Sequence, residues 1–149
     1  MCYHIIMTLE EILEESKEIG LTSLSDLARE SLRNPILFHK YNREYATARK
    51  KLKAMEREKK KIIRELFLYY TGKADNSIVK RKGVIDFKIM KSDISVFIDS
   101  DPEMVEVQSL LDDAAVKVET IENILLAIKQ RGWDIKNAVE FQKFISGAN

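Results

Sequence analysis

The chain has 149 residues, 25 of them Lys or Arg and 24 Asp or Glu, for a net charge of +1; this length suits one domain, or one with an appended arm, and argues against a multidomain enzyme. Gly (5) and Pro (2) are scarce and 33% of residues are charged, a balance that favours an all-α fold with long exposed helices over turn-rich β architecture. No apolar run approaches the roughly 18 residues that span a membrane, and the lone Cys2 with His4 and His39 offers neither an internal disulfide nor a metal-ligand cluster, so no cofactor or metal is expected.

Residues Met1–Ile6 are too short for the apolar region of a signal peptide and are expected to lie upstream of a natural start at Met7. Thr8 followed by Glu11 forms a capping box, which predicts an acidic helix over Thr8–Ile19 with Leu9, Ile12 and Leu13 on its apolar side and Gly20 at its end. A second short helix is predicted over Ser23–Leu32. Asn34-Pro35 then reads as an N-cap followed by Pro at the first helical position, and no Gly or Pro interrupts the chain until Gly72. The longest helix is therefore predicted from Pro35 to Tyr70.

Apolar residues at Phe38, Tyr41, Tyr45, Ala48, Leu52, Met55, Ile62, Leu66 and Tyr69 alternate three and four apart, with Lys59 filling one slot of this heptad seam. Residues 71–83 read as a loop, and Val84–Ile89 as a short strand or extended chain. Ser92 is expected to cap a short helix through Ile98. Asp101-Pro102 repeats the start signal and opens a second long helix that Gly132 is expected to close. In it Met104, Val107, Leu111, Ala114, Val118, Ile121, Leu125 and Ile128 keep an unbroken three-four spacing, widened by Leu110, Ala115, Ile124 and Leu126. A last amphipathic helix over Asp134–Ile145 follows a corner at Trp133. The seam Val107, Leu111, Ala114, Val118, Ile121, Leu125 and Ile128, with Trp133, is the candidate oligomerisation surface. The segments are thus extra residues 1–6, an N-terminal helical region 7–75, a connector 76–100 and a helical oligomerisation region 101–149.

Charge by segment shows what the net value hides. Residues 1–32 sum to −5 and residues 33–64 to +9, followed by +1 over 65–100 and −4 over 101–149. Between Arg49 and Arg64 nine bases face only Glu56 and Glu58. A solubilising helix face would mix its signs, whereas like charges four residues apart repel by a few tenths of a kcal/mol per pair. Arg43, Lys50, Lys53, Arg57, Lys60 and Arg64 lie opposite the seam and form a basic stripe roughly 30 Å long, about five extended nucleotides. A bound polyanion relieves the repulsion and releases counterions, giving salt-sensitive affinity with little sequence preference. Tyr69 continues the seam and is expected in the core. Tyr70, with Lys73 and near Lys80-Arg81-Lys82, is a candidate for stacking bases of a single strand. The acidic residues between 9 and 18 form a solvated face or a contact for a basic partner.

No phosphate-cradling Gly-rich loop occurs, neither histidine stands in a nucleophile motif, and Asp112-Asp113 belong to an acidic solvated face. These absences argue against an enzyme.

Three stretches carry a family resemblance. Met7-Thr8-Leu9-Glu10-Glu11, Leu68-Tyr69-Tyr70-Thr71-Gly72-Lys73 after a basic helix, and Ala127-Ile128-Lys129-Gln130-Arg131-Gly132-Trp133-Asp134-Ile135-Lys136-Asn137 resemble the opening, the Tyr-Tyr-Ser-Gly-Arg segment and the C-terminal Ile-Lys-Ser-Arg-Gly-Phe signature of the UvsY-type recombination mediators of T-even-like bacteriophages. Residues 76–100 are the least alike. The resemblance implies a non-enzymatic protein of DNA recombination, repair and replication, acting in the cytoplasm of the infected bacterial host. It implies a hexameric or heptameric ring that binds single-stranded DNA and helps a RecA-like phage recombinase displace the phage single-strand-binding protein. The family's Leu-Lys-Ala-Arg-Leu motif falls on Ile63-Arg64-Glu65-Leu66-Phe67, so Arg64 keeps one charge and Leu66 replaces the other; Arg57, Lys59, Lys60 and Lys61 are neighbours able to make the missing phosphate contact. The rival reading is a structural or chaperone-like coiled-coil oligomer whose basic helix binds an acidic protein; an enzyme accessory subunit ranks third.

Overall fold

The computed structural model describes residues 6–20 and 26–147. Cys2, His4, nearly all of the Met1–Ile6 segment and the expected helix start at Ser23 lie outside the described residues. Among the described residues the fold is all-α, with α1 (Leu9–Ser16) and a following 3-10 turn (Lys17–Gly20), α2 (Leu27–Tyr70), α3 (Asn76–Lys82), α4 (Ile94–Asp99) and α5 (Pro102–Ser146). Val84–Ile89 is irregular chain and not a strand. The chain divides into two compact units, one built from the described residues up to 49 together with 116–147, the other from residues 50–115.

In the first unit the capping box forms as its residues dictate: Thr8 Oγ1 accepts from the Glu11 N–H at 3.2 Å and Glu11 Oε2 accepts from the Thr8 N–H at 2.7 Å. The helix proper ends at Ser16, short of the expected Ile19, because the chain tightens into the 3-10 turn. Ile12, Ile19, Tyr41, Ala48, Ile121, Ile124, Leu125 and Ile128 make the core. Burial, reinforced by Glu15 and Glu18, pushes the Tyr41 phenol above its ordinary pKa.

Two expected breaks are absent from this unit. Helix α2 runs straight through Pro35, so the separate helices over Ser23–Leu32 and Pro35–Tyr70 are one. Its N-cap is Asp26, whose carboxylate accepts from the Arg29 N–H at 3.2 Å. Asn34 caps nothing: its amide donates to the Ile128 carbonyl at 3.5 Å and accepts from the Arg131 guanidinium, which also binds the Glu30 carboxylate and carbonyl. A proline removes one helical hydrogen bond, at about 3 kcal/mol, and these contacts offset it. Likewise α5 continues through Gly132, and there is no corner at Trp133. A lone helical glycine costs only about 1 kcal/mol, while Ile128, Arg131 and Ile135 around it are all buried.

The second unit packs Leu66, Ile94, Ile98, Met104 and Val107, with Ile62, Tyr70 and Ile89 against them. Helix α2 closes in a Schellman motif: Gly72 sits at φ 70°, its N–H bonds the Tyr69 carbonyl at 3.0 Å, and the Lys73 N–H reaches the Leu68 carbonyl at 2.8 Å. The expected loop 71–83 contains α3 instead, because Asp75 accepts from the N–H groups of Ser77 (2.9 Å) and Ile78 (3.0 Å) and buries Ile78. The Ser77 hydroxyl, which also donates to Asp75 at 2.6 Å, and then the Ile78 N–H hold the Asp75 carboxyl below its usual pKa. The short helix expected from Ser92 is α4, preceded by Asp93, which makes no side-chain cap bond. Asp101 caps α5 as predicted, accepting from the Glu103 N–H at 3.0 Å.

Candidate nucleic-acid interface

Within the second unit α2 separates apolar from basic side chains. Leu52, Met55, Ile62 and Leu66 are half-buried or buried, while Lys50, Lys53, Arg57, Lys60, Lys61 and Arg64 are all exposed. Lys59, the irregular seam position, is half-buried and donates to Gln108 Oε1, whose amide in turn donates to Asp112 at 2.6 Å. Lys53 pairs with Glu56 at 3.0 Å and Lys61 with Glu58 at 2.9 Å, each a solvent-facing pair three residues apart of small energetic value. Among the described residues Lys50, Arg57, Lys60 and Arg64 make no ion pair. Side chains at these spacings point to one side of the helix. The result is a row of hydrated, uncompensated cations. Arg43, in the first unit, is also exposed and without an ion pair among the described residues.

The bases after α2 differ from one another. Lys73 is exposed and unpaired among the described residues, but Lys80-Arg81-Lys82 is mostly tied into the fold. Arg81 reaches Glu65 at 2.9 Å and Glu103 at 3.4 Å. Lys82, with 11% of its side chain exposed, bonds Asp101, of which 2% is exposed, at 2.8 Å and Glu103 at 3.3 Å. Burial opposes charge on both Lys82 and Asp101, yet their mutual bonds prevail, raising the lysine's pKa and lowering the carboxyl's. Tyr70 belongs to the same knot: its phenol donates to Asp101 at 2.6 Å, and burial first, then that bond, raise its pKa. Its ring lies 5.1 Å from Tyr69 and 5.6 Å from Phe97, so it is half-buried among aromatic neighbours. Tyr69 is also half-buried and donates to the Lys82 carbonyl at 3.4 Å.

Where the stripe ends, a cleft of about 890 Å³ opens between Phe67, Lys73, Phe87, Lys88 and Lys91. Phe67 and Phe87 are 47% and 57% exposed. Sequence reading missed both: Phe67 stands seven residues past Lys60, which was the available signal, but nothing local marks Phe87 in an irregular segment.

Of the candidate oligomerisation residues, Val107, Ile121, Leu125 and Ile128 are buried within the chain's own units, Leu111, Ala114 and Val118 are half-buried, and Trp133 is 61% exposed. The exposed apolar residues of the α5 end are Leu126, Trp133, Phe141, Phe144 and Ile145. Among the described residues no cluster able to hold a metal ion occurs and no helix is long and apolar enough to cross a membrane.

Known proteins give this arrangement a context. The family model described as "Recombination, repair and ssDNA binding protein UvsY" matches residues 13–148. The chain is 24% identical over 141 residues to the recombination protein uvsY of Enterobacteria phage T4, across 95% of this chain and 99% of that one. Crystal structures of the bacteriophage T4 recombination mediator protein UvsY superpose with a TM-score of 0.84 at 24% identity (94% of this chain, 98% of that one) in one lattice and 0.82 at 22% (93% and 99%) in another. The chain belongs to the UvsY family of recombination, repair and ssDNA-binding proteins.

Proposed function

We propose that the chain is a recombination mediator that binds single-stranded DNA through the exposed face of α2 and favours loading of a RecA-like phage recombinase in place of the phage single-strand-binding protein. The observation that carries this reading is the row Lys50, Arg57, Lys60 and Arg64, exposed and unpaired among the described residues, in a chain of the UvsY family. Phosphate binding through such a row releases counterions, so affinity falls steeply with salt. Lys53, Lys61, Lys73 and Arg43 add charge to the strand-binding set. The chain's work needs no bond-breaking step: holding the strand away from its competitor is enough, and ATP turnover stays with the recombinase. The setting is the cytoplasm of the infected bacterial host.

The region 101–149 associates copies into a hexameric or heptameric ring, in which several weak stripes act on one strand through their high effective concentration. Support for self-association comes from Leu126, Trp133, Phe141 and Phe144, whose spacing places them along one helical side, with Leu111, Ala114 and Val118 as further half-buried candidates.

The test is titration of labelled oligo-dT at rising salt. Tight binding at about 50 mM salt that weakens log-linearly is expected; absence of binding, or binding indifferent to salt, overturns the proposal and favours an acidic protein as the ligand of α2.

A further inference from the structure

We infer that the cleft at the end of the α2 stripe is a base-docking site, in which Phe67 and Phe87 stack bases of the strand while Lys73, Lys88 and Lys91 hold its phosphates. The inference rests on the proposed single-strand binding and says where the bases go.

Three observations carry it. The first is register: Lys53, Lys60 and Phe67 are spaced by seven, so the phenyl ring takes the next position along the row of cations, about 10 Å beyond Lys60. A strand following the row arrives at an aromatic face. The second is charge. Lys73, Lys88 and Lys91 are exposed and make no ion pair among the described residues, and no carboxylate lines the cleft. A mostly apolar groove whose charged lining residues are all cations fits a ligand that alternates apolar rings with anions. The third is support: Phe87 lies 6.1 Å from Phe97, which lies 5.6 Å from Tyr70, so the exposed ring is backed by half-buried aromatic side chains. The volume of about 890 Å³ falls in the range of roughly 300–1,000 Å³ typical of small-ligand pockets, enough for a base with its sugar. Stacking of this kind accepts every base.

Binding of oligo-dT is compared with binding of an abasic oligomer of equal length and charge. The unmodified protein is expected to prefer oligo-dT by about tenfold or more. Phe67→Leu with Phe87→Leu, which keep apolar bulk and remove the ring faces, are expected to abolish that preference while leaving abasic affinity and the salt slope unchanged. Phe67→Trp in the Phe87→Leu background is expected to restore part of it. Equal affinity of the unmodified protein for the two oligomers overturns the cleft while leaving strand binding intact, as does a preference that survives both leucines. Failure to bind either oligomer overturns both readings. A loss of abasic affinity in the leucine variants equal to the loss for oligo-dT assigns the rings to folding and overturns the inference.

Discussion

Lys59-Lys60-Lys61 on α2 and Lys80-Arg81-Lys82 on α3 look alike in sequence, and the fold uses them in different ways. On α2 the neighbouring acids are few and local: Glu58 meets Lys61, and Lys60 meets none among the described residues. On α3 the acids come from far along the chain, Glu65 to Arg81 and Asp101 with Glu103 to Lys82. A cation with distant acidic partners is a structural element, and a cation left without one is available to a ligand. Charge density alone does not separate the two; pairing does.

The comparison breaks most visibly at Asp101. Asp101→Ala leaves Lys82 without its 2.8 Å partner, removes the acceptor of Tyr70 and uncaps α5; breaking a buried pair from one side costs about 3–5 kcal/mol, which urea unfolding measures. Next comes the stripe itself. Lys53→Ala with Arg57→Ala, Lys60→Ala and Arg64→Ala is expected to weaken oligo-dT binding by roughly 100-fold and to lower the log-log salt slope by about three, with the urea midpoint unchanged. An unchanged affinity would remove α2 from the interface. Trp133→Glu with Phe141→Glu, at exposed positions, is expected to reduce the mass seen by light scattering without shifting the unfolding midpoint; an unchanged mass would free the α5 end from any role between copies. A finer contrast pairs single changes: Lys60→Ala lowers the salt slope by about 0.7, and Arg81→Ala leaves it where it was.

The smallest effect is in pH. Tyr70 and Lys82 both have raised pKa values in the fold, so their stabilisation is complete below their ordinary values, about 10, and declines as pH rises through the raised ones. Asp101 is lowered; its contribution is present above about pH 4 and declines as pH falls through the folded value. The knot therefore weakens at both extremes, and Tyr70→Phe is expected to flatten the alkaline limb of a stability-versus-pH curve and, by removing one of the donors that hold Asp101 ionised, to flatten part of the acid limb as well.

Local signals in the sequence were legible where the physics is local. Thr8 with Glu11, and Asp101 before Pro102, each act within one helical turn, and the structure has both caps in place. The three-four spacing of α2 also separated exposed cations from seam residues without tertiary knowledge. The two helix breaks that the structure does not have share one cause. Pro35 and Gly132 are breakers by local rules, but Arg131 binds Glu30 and Asn34 across about a hundred residues of sequence and keeps both helices continuous. The sharpest periodicity, that of α5, serves first the chain's own core, since Ile121, Leu125 and Ile128 are buried against its residues. Phe87 was illegible because an irregular segment has no period.

The uncompensated row on α2 also bears on how the protein behaves before any strand arrives. Residues 1–32 sum to −5 and 101–149 to −4 against +9 over 33–64, so at low ionic strength the acidic stretches of one molecule attract the cations of another. Mild salt dissolves such associations, and a short anionic oligomer does the same by occupying the row. Solubility should then rise on adding either one, which makes turbidity against salt a direct gauge of how much of the row is still bare.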